Sequence, residues 1–200
     1  MTTTPAPAGT RTSPFSAFHP FAGESPDYDG LREVLQNFVP FNTLVDLTIA
    51  EVSPTAGRVT IAHRAELTNA VGTLHAGVLF LAADMAGSAA FLGATAHRLR
   101  GLTMFVLKNC RIDFLKPGAG DVSVAVVMDE RILTAALADP GAVRVSCDAK
   151  AYLRDSAGIL IGKAYLEFVC AFDAVSAPDA VVAPDAVGAD DEGSAGHARR

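Results

Sequence analysis

Residues 69–90 read NAVGTLHAGVLFLAADMAGSAA. From His75 to about Thr95 there is no proline and no charge pattern, and Val78, Leu79, Phe80, Leu81, Met85, Phe91 and Leu92 surround the axis instead of forming one stripe. That arrangement predicts a helix buried on most of its sides. Asp84 is the exception at its middle. A lone buried carboxylate costs several kcal/mol, so Asp84 is expected to be paired, protonated or set against a water-filled cleft. On a helix, Gly77 lies seven residues before it and Ser88 four after, so the three share one small, polar face. The run approaches the length of a membrane span. Its Ala and Gly content, its central acid and its position between strand-like segments favour a core helix instead, with no membrane span.

Working outward, Leu31 to Val39 (LREVLQNFV) has helical spacing of Leu31, Val34, Leu35 and Phe38, and Pro40 stops it. LVDLTIAEVS and GRVTIAHRAEL alternate and are β-branched, with SPTAG between them as the turn of a hairpin. Four further extended segments follow the helix: LTMFVLKNCRIDFL, VSVAVVMDERILTAAL, AVRVSCDAKAYLR and ILIGKAYLEFVCAF. In the third, Val143, Val145, Cys147, Ala149, Ala151 and Leu153 alternate with polar or charged neighbours, giving one dry face and one wet. Six strands and one long apolar helix predict an α+β layout, an antiparallel sheet wrapped on a single helix.

The 200 residues suit one domain with a full core. Residues 1–27 and 174–200 are rich in Ala, Pro, Thr or acidic groups without periodicity and are expected to be disordered tails around a domain at 28–173. A net charge of -6 and a pI near 5.3 give no basic footprint for nucleic acid. Cys110, Cys147 and Cys170 are odd in number and lack CxxC spacing, which fits a reducing cytoplasmic setting and neither a disulfide framework nor a zinc site. The N-terminus lacks the charged start and apolar core of an export signal. The histidines show no metal-ligand spacing, so no metal is expected.

Taken singly, Asn69 reads as a turn residue, His75 as a helix cap and Asp84 as a satisfied buried acid. Their combination suggests chemistry. The segment Thr73–Gly77 supplies a helix start whose unpaired N–H groups can polarise a carbonyl oxygen, and glycine there admits a ligand. A carboxylate two turns along can activate water or attack an acyl carbon. His97, Arg98, Arg100, Lys108, Arg111 and Lys116 could meet phosphates, although a solvated face is the commoner meaning of each.

The pattern N-x5-H-x-G-x6-D, formed by Asn69, His75, Gly77 and Asp84, resembles the signature of hotdog-fold acyl-CoA thioesterases of the phenylacetate-pathway (PaaI-like) type. KNCRIDFLKPGAGDVSV and YLRDSAGILIGKAYLEF are similar to later strands of that family, and the resemblance covers about Tyr28 to Asp173. It implies a hotdog fold and a homo-oligomer, dimer or dimer of dimers, that hydrolyses acyl-CoA without a cofactor. It also implies that Asp84 is base or nucleophile, that Asn69 of the facing subunit holds water or thioester, and that the Ala76 N–H polarises the carbonyl. His75 would shape the loop, Gly77 and Ser88 would border the substrate, and a water-orienting position on the next strand would fall at Leu107 or, in a shifted register, Thr103. A non-catalytic acyl-CoA-binding protein is the alternative of another class. A 3-hydroxyacyl thioester dehydratase is disfavoured, because its histidine lies further upstream of the acid and Ala70 stands near that place here.

Overall fold

A computed structural model describes residues 13–128, 133 and 144–173. Among the described residues there are three α-helices, α1 (Tyr28–Phe38), α2 (Pro40–Leu44) and α3 (Ala76–Ala94). Six strands accompany them: β1 (Leu47–Val52), β2 (Gly57–Ile61), β3 (Leu102–Phe114), β4 (Val122–Met128), β5 (Arg144–Arg154) and β6 (Leu160–Phe172). They form one antiparallel sheet in the order β1-β2-β4-β5-β6-β3, with α3 packed on its inner face. The α+β layout expected from the sequence is present.

The strands obey the period-two pattern. In β5, Val145, Cys147, Ala149, Ala151 and Leu153 are buried while Arg144, Ser146, Asp148 and Lys150 are exposed. The part of the fourth expected strand beyond Met128, and Val143, lie outside the described residues. Leu133 alone is described between them, and it is buried.

Small residues bring α3 onto the sheet. A side chain on Gly57 would collide with the helix backbone at Ala86 and Ala90, and one on Gly93 would collide with the Ser53 backbone. With Ala82, Ala83, Ala86, Ala89 and Ala90 all buried, the helix lies close against β1 and β2. By length and composition α3 could cross a membrane, but 61% of its apolar window is buried inside the protein.

The sheet has two edges that differ. At β1, the Gln36 side chain of α1 donates from Nε2 to the Leu47 carbonyl and accepts at Oε1 from the Ile49 N–H, both at 2.7 Å. The amide thus pairs with the edge as a neighbouring strand would. At β3, no strand among the described residues pairs with the outer side of its thirteen residues, and Val106 and Phe114 are about half exposed.

The N-terminal boundary differs from the expected one. Residues 14–21 form a 3-10 helix whose Phe18 is 1% exposed and packs in a tilted ring contact on Phe38, and Ser13 Oγ donates to the Leu102 carbonyl at 3.1 Å. A Pro- and Ala-rich composition concealed PFSAFHPF, whose phenylalanines hold this stretch to α1 through hydrophobic burial. Residues 1–12 and 174–200 lie outside the described residues.

Candidate functional site

His75 starts α3 as its N-cap: Nδ1 accepts from the Gly77 N–H at 3.0 Å, and its carbonyl accepts from Val78 and Leu79. The ring is therefore engaged at the helix tip. Just before it, residues 69–73 close a turn around Asn69. Its Oδ1 accepts from the Val71 and Thr73 N–H groups, and its Nδ2 donates to Thr73 Oγ1 at 2.8 Å. Gly72, at φ 79, takes the left-handed conformation that this turn requires. Asn69 is thus a turn organiser whose second amide hydrogen has no acceptor among the described residues. The turn ends at Ala76, whose N–H has no acceptor among the described residues.

A cavity of about 360 Å³ opens beside this tip. Asn69, Thr73, Ala76 and Leu79 form one wall, and Phe114, Lys116 and Ile161 another. Of the basic residues considered for phosphate contact, Lys116 is the one at the cavity. Lys108 pairs with Glu167 at 2.6 Å, Arg111 with Asp113 at 3.3 Å, and the Arg98 guanidinium stacks on Phe172.

Asp84 does not line that cavity. It sits eight residues beyond Ala76, a rise of about 12 Å along the helix. Gly77 and Phe80 on the same stripe are exposed, and Asp84 and Ser88 are half-buried. No described residue donates a hydrogen bond to its carboxylate. Burial pushes its pKa up to about 6.

Across from Asp84 lies β3. The inward residues of that strand are Phe105, Leu107, Cys110 and Ile112, and a bulge after Leu107 resets the alternation. The Cys110 thiol is raised by burial and then by the charge of Asp84, so Cys110 is the β3 side chain that senses the carboxylate. The sequence offered Leu107 or Thr103 as the strand neighbour. Thr103 stands apart from Asp84: its hydroxyl donates to the Ala171 carbonyl at 3.1 Å, and Phe105, two residues on, already stacks on Phe91, two turns past Asp84. Cys110 escaped notice because the bulge cannot be read from spacing.

Residues 30–167 match the family described as Domain of unknown function (DUF4442). The chain belongs to this family. No curated protein matches it in sequence. In fold, it is similar to a Pseudomonas aeruginosa protein of unknown function described as a probable thioesterase, at 20% identity and a TM-score of 0.62 over 70% of this chain and 93% of that one. A Chlorobaculum tepidum protein of unknown function is similar at 16% identity and a TM-score of 0.65, over 72% and 96% of the two chains. The Escherichia coli PaaI protein from the phenylacetic acid degradation operon is similar at 18% identity and a TM-score of 0.51, over 68% and 87%. These likenesses show that this member of the family has the hotdog fold.

Proposed function

We propose that the protein hydrolyses acyl-CoA thioesters as a homo-oligomer, with Asp84 as general base. The observation that carries this reading is the Asp84 carboxylate itself. It is half-buried, has no partner among the described residues and is raised to about 6 on the uncovered stripe of an otherwise buried helix. A carboxylate so placed takes a proton near neutral pH, as a general base must.

In the reaction, Asp84 removes a proton from water, whose oxygen attacks the acyl carbon. The Ala76 N–H holds the carbonyl oxygen as it gains charge. The carbon–sulfur bond then breaks, and the departing thiolate takes up the proton. One protomer does not bring these parts together, because about 12 Å of helix separate Ala76 from Asp84. A second copy joined at β3 supplies its own Asn69–Ala76 tip. The paired β1 edge and a β3 edge with no strand partner among the described residues support that mode of assembly, as do the exposed apolar side chains of Val106 and Phe114 on β3.

A thiol-release assay over acyl-CoA esters tests the reading. Asp84→Asn is expected to cost roughly 100- to 10,000-fold in turnover while the fold remains. Full activity in the variant removes Asp84 from the role. Wild-type protein that binds acyl-CoA without turnover would instead be a binding module.

A further inference from the structure

We infer that a column of three phenylalanines bounds the helix face beyond Asp84 and limits the acyl group to a short chain or a single ring. This inference rests on the thioester reading above. Phe91 of α3 stacks on Phe105 of β3 with centroids 4.2 Å apart and planes 14° apart, and Phe105 stacks on Phe168 of β6 at 5.0 Å and 16°. The half-buried Phe105 ring is thus stacked on two fully buried ones, Phe91 and Phe168. The column bridges helix and sheet, and its two outer rings are held in the core.

Its position relative to Asp84 follows from the helix. Gly77, Phe80, Asp84, Ser88 and Phe91 share one stripe, and along it exposure falls from open at Gly77 and Phe80, through half-buried at Asp84 and Ser88, to none at Phe91. Coenzyme A is polyanionic and stays in water, so it approaches from the Gly77–Phe80 end. The acyl group then points past Ser88. Leu166 and Phe168 of β6 press against Gly87, where an added side chain would meet Phe168 Cζ at 2.6 Å, and so make a close floor. From Asp84 to Phe91 the helix rises about 10 Å, less the thickness of the rings, which suits a short or monocyclic acyl group and stops a long chain.

The experiment is thiol release from butyryl-, hexanoyl-, benzoyl-, decanoyl- and palmitoyl-CoA by the full-length protein and three variants. Wild type is expected to favour the three smaller substrates. Phe105→Ala should raise the palmitoyl-to-hexanoyl ratio of kcat/KM by about tenfold or more. Phe105→Leu, which keeps more of the packing should the alanine variant fail to fold, should shift it in the same direction. Ser88→Leu adds bulk to the same helix face between Asp84 and Phe91 and should lower the ratio. Wild type that accepts palmitoyl as well as hexanoyl, or a ratio unmoved in both Phe105 variants, overturns the inference. Absence of turnover on every ester instead removes the thioester reading, and this inference with it.

Discussion

Burial raises the pKa of the Cys110 thiol on β3, and the Asp84 carboxylate on α3 lies near enough for its charge to raise it further. Both side chains are half-buried, one on the helix and one on the strand. Replacing Asp84 with asparagine removes the negative neighbour, so more of the Cys110 thiol ionises at a given pH. Alkylation of Cys110 by iodoacetamide, followed by mass spectrometry, should quicken by a few-fold in Asp84→Asn. Cys147 and Cys170 serve as internal controls, because they are buried and their thiols are pushed up to about 12 and about 11. An unchanged rate at Cys110 would separate the two groups.

Asp84 is also a stability liability. Its pKa rises from 3.8 to about 6 on folding, so the native state holds the proton more tightly than the unfolded chain. Stability from this group is fully present below about pH 4 and falls as pH rises toward about 6, after which the loss is constant. The shift is worth about 3 kcal/mol. Asp84→Asn should therefore gain up to about that much at pH 8 in urea unfolding and little near pH 4. A variant less stable than wild type at pH 8 would mean that the carboxylate is satisfied in the native protein.

Activity should follow the same titration in the opposite sense. The base must be ionised, so kcat/KM is expected to fall about tenfold per pH unit below about 6 and to level off above it. A limb near the ordinary aspartate value of 3.8 would place a different, solvated group in charge.

Much of this was legible in residues 69–90. An apolar helix without a stripe had to be enclosed, and six alternating segments around it left a wrapped sheet as the arrangement that covers it. Asp84 stood out for the same reason: composition alone marked it as costly. Three features were hidden. The β3 bulge shifts which side chains point inward, and no spacing rule announces it; this is why Cys110 was passed over in favour of Leu107 or Thr103. The Gln36 pairing with the β1 edge depends on contact between segments eleven and thirteen residues apart. The ordered stretch Ser13–Phe21 is held by phenylalanines within a composition otherwise typical of a tail.

The central claim is that each site is built from Asp84 of one protomer and the Asn69–Ala76 tip of another. Mixing two inactive variants tests it most directly. Asp84→Asn lacks the base, and Asn69→Ala loosens the turn that presents the Ala76 N–H. In a two-fold dimer, co-refolding equal amounts yields mixed dimers with one intact site each, and thiol release should recover to about a quarter of wild type. Mixed dimers that form but stay inactive would contradict a shared site.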